Sequence, residues 1–174
     1  MIWGQDCSRA LNNRGKPGKF IKIPLPSHPM QAPKTVEKQI LIQAPASAVW
    51  EVLTRADKMQ EWLSDLRVEV VSDWEKGSPI LFNSRMHGKS QTDKGIILDL
   101  QPNKLFSYSL WTPISRVPDI PENYSIITFE LEPQENGTLL RLSHSQLTAL
   151  ASFEHSNYYW GITLTVIKKM VEGL

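Results

Sequence analysis

"NYYWGITLTVIKKMVEGL" (residues 157–174) places Trp160, Thr163, Leu164, Ile167, Met170, Val171 and Leu174 on one face of a helix turning about 100° per residue. Gly161, Thr165, Lys168, Lys169 and Glu172 fall on the other face, and two tyrosines and a tryptophan crowd the first turn. A helix of this length is marginal by itself in water, so its apolar stripe must be buried against another element. What that element is decides the fold.

The preceding segments change period. "TVEKQILIQ" (35–43) alternates, with Val36, Ile40 and Ile42 on one side, and reads as a strand. "APASAVWEVLTRADKMQEWL" (44–63) has helical spacing through Val49, Val52, Leu53, Ala56, Met59, Trp62 and Leu63. Pro45 suits a first helical turn, and Thr54 or Asp57 suits the cap of a second start, so two short helices are expected with a break near 54–57. Six further strands follow: "RVEVVSD" (67–73), "PILFNSR" (79–85), "KGIILDLQ" (94–101), "KLFSYSLW" (104–111), "NYSIITFELEP" (123–133) and "TLLRLSHSQL" (138–147). Turn residues separate them, among them Gly77, Pro102 with Asn103, and Asn136 with Gly137, the strongest short hairpin signal in the chain.

Alternation tells which side of each strand seeks cover. Ile80 and Phe82; Phe106, Tyr108 and Leu110; Ile127, Phe129 and Leu131; and Leu140, Leu142 and His144 each share a face opposed by polar residues. The result is an α+β layout, a largely antiparallel sheet with one apolar side across which the last helix lies.

The chain has 174 residues, 41% hydrophobic and 21% charged, an ordinary globular balance with no apolar run long enough for a membrane span. The net charge of +1 points to neither a nucleic acid nor an acidic lipid, and the lone Cys7 excludes an internal disulfide, so a cytoplasmic setting is expected. Charge is unevenly spread: residues 1–34 hold six Lys/Arg against the single Asp6. That segment contains Pro17, Pro24, Pro26, Pro29 and Pro33, shows no period and lacks a secretory apolar core, so it reads as a loose extension to a domain at 35–174. Met30, just before the first periodic segment, is an alternative native start.

Four motifs in order now resemble one family. "VEKQILIQAPASAVWEVLT" is similar to its opening strand and helix, "GIILDLQPNKLFSYSLW" to its glycine-led hairpin, "YSIITFELEPQENGTLLRLSHSQL" to its paired strands, and Trp160, Leu164, Ile167 and Lys168 to its closing tryptophan-led helix. The family is the C-terminal-like domain of the activator of heat-shock protein 90 ATPase, within the START/SRPBCC superfamily. The resemblance spans nearly all of 35–174 and implies a helix-grip fold, a curved antiparallel sheet wrapped around the long terminal helix. It also implies a cavity for an apolar small molecule between helix and sheet. Residues 1–34 have no counterpart and are too short and proline-rich for the additional N-terminal domain of the eukaryotic activators.

The chain has no G-x-G-x-x-G, Walker loop, H-E-x-x-H or G-x-S-x-G motif. His28, His87, His144 and His155 are scattered, so neither a metal site nor a cofactor is expected. His144 shares the apolar face, where it is either a satisfied core histidine, a polar fixture that orients a ligand, or a general base lacking a visible second group. Tyr108 reads equally as core or as a ligand donor. Trp62, Phe82, Phe129, Trp160 and Leu164 are core, or cavity lining if side chains leave room, since in this architecture the two are one surface. Two connections, 112–123 and "RMHGKSQTD" (85–93), read as lips of such a cavity.

Three functions compete on these residues. The first is a non-enzymatic binding module for a small hydrophobic or amphipathic ligand, contacted by Trp62, Phe82, Tyr108, Phe129, His144, Trp160 and Leu164. The others are a co-chaperone of heat-shock protein 90 and a cyclase- or hydrolase-type enzyme using the same cavity. A monomer or a homodimer is compatible with either.

Overall fold

The computed structural model describes residues 32–63, 68–86 and 88–174, so the reading of the first residues as a loose extension lies outside it up to residue 31. Strand β1 (Lys34–Ile42) leads into helices α1 (Ala46–Thr54) and α2 (Ala56–Leu63). Strands β2 (Val68–Ser72), β3 (Pro79–Met86), β4 (Lys89–Gln101), β5 (Leu105–Leu110), β6 (Ser125–Gln134) and β7 (Gly137–Leu147) follow, and helix α3 (Leu150–Glu172) closes the chain. The strands form one antiparallel sheet in the order β1-β7-β6-β5-β4-β3-β2.

The alternation read from the sequence is the alternation seen. One cross-strand row runs Val36, His144, Ile127, Tyr108, Ile97 from β1 to β4. All five are buried, as are Phe106, Phe129 and Leu142 in the next row. Opposite parity exposes Glu130 and Arg141, which is why the register cannot slip by one residue without inverting the sheet.

Helix α3 has 23 residues and begins at Leu150, not near residue 157. Its first two turns read as polar (Ser152, Glu154, His155, Ser156), and Ala149 at the cap donates no side-chain signal. On the inner side Trp160, Thr163, Leu164 and Ile167 are buried, and burying Leu164 or Ile167 contributes about 1.5–3 kcal/mol each. The stripe ends sooner than its period suggests: Gly173 takes a left-handed φ of 72°, and Leu174 beyond it is exposed. Lys168, read as an outward residue, turns to the β1 edge, donating to the Leu41 carbonyl at 2.8 Å and to Glu172 at 2.5 Å. Glu172 in turn accepts from the Gln43 amide at 2.7 Å, so the C-terminal turn is latched to the end of β1.

Between α1 and α2 only Arg55 is extended, and neither Thr54 nor Asp57 caps the second helix. Thr54 bonds back to the Trp50 carbonyl and Asp57 pairs with Arg55. The stretch 85–93, read as a connection, is largely strand: β3 and β4 run on as a hairpin to Met86 paired with Lys89. Its polar residues hid that pairing.

Two glycines are required by close approach. At Gly95 a Cβ would stand 1.7 Å from the Ser109 carbonyl oxygen on the neighbouring strand β5. The β6–β7 turn is centred on Glu135 and Asn136, and Gly137 alone takes positive φ, 143°, with space for a Cβ closed by the Ile42 carbonyl at 2.1 Å. Gly137→Ala is expected to cost at least about 2 kcal/mol, read as a lower urea midpoint with unchanged slope.

Candidate functional site

The inner face of the sheet carries one connected set of aromatic rings. Phe82 lies 5.7 Å from Tyr108, Tyr108 5.1 Å from Phe106, and Phe106 6.1 Å from Phe129. From above, Trp160 on α3 and Trp62 on α2 meet Phe129 edge-on at 5.7 and 6.0 Å. Leu164, one helical turn beyond Trp160, is buried on the same side. Six of the seven residues singled out from the sequence thus join one cluster through ring contacts, with Phe106 as the link. Trp74 and Tyr159 belong to it as well, Trp74 against Phe106 at 5.8 Å and Tyr159 against Trp160 at 5.0 Å. Trp74 sits in an aperiodic turn at φ 55°, where no pattern could mark it.

His144 is held on both ring nitrogens. The Trp160 indole N–H donates to Nδ1 at 3.0 Å, so the neutral ring carries its proton on Nε2, which faces Ser125 Oγ at 2.9 Å. Ser125 passes its own proton to the Leu110 carbonyl at 3.2 Å. Helix, β7, β6 and β5 are therefore tied by one hydrogen-bonded chain. Burial pushes the imidazole pKa down to about 4, keeping it neutral at physiological pH. With both nitrogens engaged, His144 positions Trp160 and leaves no lone pair for proton abstraction.

Other polar groups beneath the helices are mostly satisfied. Trp62 Nε1 donates to the Val52 carbonyl at 2.9 Å, and the Tyr159 hydroxyl donates to the Leu63 carbonyl. Burial pushes the Tyr159 phenol up to about 12. Coverage by backbone is uneven. Helix α3 runs close to β1 and β7, and α2 close to β2, whereas neither makes more than marginal backbone approach to β3, β4 or β5. Ile80, Phe82, Ile97, Phe106 and Tyr108 on those middle strands are nonetheless buried, so side chains alone span the space above them.

The 112–123 connection is pinned, not loose. Trp111 Nε1 donates to the Val117 carbonyl at 3.3 Å, Asn123 to the Pro118 carbonyl at 2.8 Å and the Tyr124 hydroxyl to Asp119 at 2.7 Å. Lys94 pairs with Asp119, holding its carboxyl below the usual range, and stands 5.5 Å over the Trp111 ring. Ile114, Val117 and Ile120 remain exposed on it.

Among the described residues, two clefts open to solvent away from the interval between α3 and the sheet. One of about 650 Å³ follows the β2–β4 end, lined by Gln60, Glu69, Asn83 and Arg85 among others. One of about 670 Å³ lies on the outer face around Glu37, Thr128 and Arg141. Among the described residues no three His, Cys, Asp or Glu side chains gather as metal ligands would, and no helix is long and apolar enough to cross a membrane.

A seven-stranded antiparallel sheet closed by a long C-terminal helix, with two short helices after the first strand and an aromatic inner face, defines a helix-grip protein of the START/SRPBCC type. A family model described as "Activator of Hsp90 ATPase homolog 1-like protein" matches residues 43–172, and the chain belongs to that family. It is similar to a solved protein of Cytophaga hutchinsonii, at 31% identity and a TM-score of 0.71 over 80% of this chain and 94% of that one. It is also similar to the Aha1 dimer of Colwellia psychrerythraea, at 25% identity and a TM-score of 0.63 over 80% and 96%. No curated protein matches it.

Two outcomes follow from this geometry. His144 binds its proton more weakly folded (about 4) than unfolded (6.5), so the unfolded state gains protons first as pH falls. Stability should be complete above pH 6.5 and decline by roughly 3 kcal/mol on acidification to pH 4, a decline that His144→Gln flattens in urea titrations at successive pH values. Separately, Asp119→Ala should speed tryptic cleavage after Arg116 severalfold while shifting the melting temperature little, because the lost ion pair is exposed.

Proposed function

We propose that this protein is a non-enzymatic binding module for a small, largely apolar molecule taken up on the inner face of the sheet above β3, β4 and β5. The observation that carries this reading is the uneven cover of the sheet. Helix α3 approaches β1 and β7, α1 approaches β6 and β7, and α2 approaches β2, while side chains cover the inner face of β3, β4 and β5. Trp74 meets Phe106 there, with Trp62 and Trp160 meeting Phe129 alongside, and rotating the Trp74 ring costs far less than moving a helix backbone. Leu110 and Phe153 pack against this core and are only partly buried. Binding there removes apolar surface from water without any catalytic group, and His144, with both nitrogens engaged, contributes rigidity instead of chemistry.

N-phenylnaphthylamine, a neutral apolar fluorophore, should bind saturably near one per chain, with excitation transferred from Trp62 and Trp160. Ser156→Phe, which extends a ring from the inner side of α3 into this space, should stay folded and lose that binding. Absence of saturable binding by the wild-type protein, or a Ser156→Phe variant that binds equally well, would overturn the reading.

A further inference from the structure

We propose that the Tyr108 hydroxyl is the hydrogen-bond donor that orients a neutral, carbonyl-bearing ligand in this space, an inference that rests on the binding reading above. Tyr108 is 1% exposed and Ser156 6% exposed. Other enclosed hydroxyls are paired: Ser107 with Thr128 and the Ile127 carbonyl, Ser125 with His144 and Leu110, Thr138 with the Ala44 carbonyl, Tyr159 with the Leu63 carbonyl, and Thr163 with the Tyr159 hydroxyl. Neither the Tyr108 nor the Ser156 hydroxyl has a partner among the described residues, where no fully enclosed side-chain nitrogen or oxygen is left unpaired. The two oxygens themselves therefore carry the small accessible remainder of their residues. A nearly buried hydroxyl with no protein partner is a place for a ligand's complementary atom.

The chemistry of that atom follows from the groups around it. Tyr108 is flanked by Phe82 and Phe106, and the row it occupies continues through Ile97 and Ile127. Burial, with Tyr159 nearby, pushes its phenol far above the ordinary range, so it keeps its proton to donate. The complementary atom is thus an acceptor. Asp93 shares the inner parity, paired in register with Phe82 at the margin and bonded by Gln91 at 2.9 Å, while Lys38 lies away on the β1 edge. A carboxylate or sulfonate would meet a like charge there and no buried cation, which disfavours it strongly. A ketone, ester or amide oxygen on an apolar body fits both constraints. Ser156, one turn before Trp160 on α3, supplies the second hydroxyl, though within a helix it can also turn to its own backbone.

The test compares three fluorophores of similar size: prodan, a neutral naphthalene ketone whose emission reports hydrogen bonding at its carbonyl; N-phenylnaphthylamine, which has no carbonyl; and anilinonaphthalene sulfonate, which is anionic. Prodan should bind the wild-type protein and emit to the red of its position in hydrocarbon. Tyr108→Phe should weaken prodan by about tenfold and shift its emission to the blue, while leaving N-phenylnaphthylamine unchanged. The sulfonate should bind more weakly than either neutral probe. If both neutral probes bind and Tyr108→Phe changes neither the affinity nor the emission of prodan, the inference fails and the binding reading stands. If neither binds saturably, the binding reading fails and takes this one with it. A sulfonate that binds as tightly as prodan refutes the requirement for neutrality. Should Tyr108→Phe not fold, a hydrocarbon-like prodan emission in the wild-type protein is itself enough to overturn the donor role.

Discussion

One hydrogen bond, from the Trp160 indole to Nδ1 of His144, ties the long helix to the sheet it lies on. Its consequences spread in both directions. Toward the sheet it selects the imidazole tautomer, which aims Nε2 at Ser125 and so couples β7 to β6 and, through the Leu110 carbonyl, to β5. Toward the helix it favours this rotation of α3, because a buried indole N–H without an acceptor is costly. That rotation stacks the inner residues of α3 on Phe129 and Trp62 and leaves Lys168 and Glu172 in reach of the β1 edge.

Cover over the sheet is uneven. Helix α3 approaches β1 and β7, α1 approaches β6 and β7, and α2 approaches β2, while side chains cover β3, β4 and β5. Aromatic side chains fill that part of the inner face, with the Tyr108 and Ser156 hydroxyls lacking partners among the described residues.

Much of this was legible before any coordinates. Period-two alternation put Phe106, Tyr108, Ile127, Phe129, Leu140, Leu142 and His144 on one face, and the helical period put Trp160, Leu164 and Ile167 opposite them. What failed to show failed for stated reasons. The first two turns of α3 are polar outside and uncapped, so no period or cap announced Leu150. Polar side chains on both faces hid the outer half of the β3–β4 hairpin. Trp74 comes to the cluster from a strained turn, and Ser125 reaches His144 only because β6 and β7 pair with that register.

The sequence by itself determined the order of elements, the inward face of each strand, the apolar stripe of the closing helix and the family, because these depend on spacing along one chain. Only the tertiary structure decided that both nitrogens of His144 are taken, that the Tyr108 hydroxyl has no partner among the described residues and that Trp74 joins the aromatic cluster. Those facts depend on distances of a few ångströms between elements far apart in the chain, and side-chain periodicity carries no information about them.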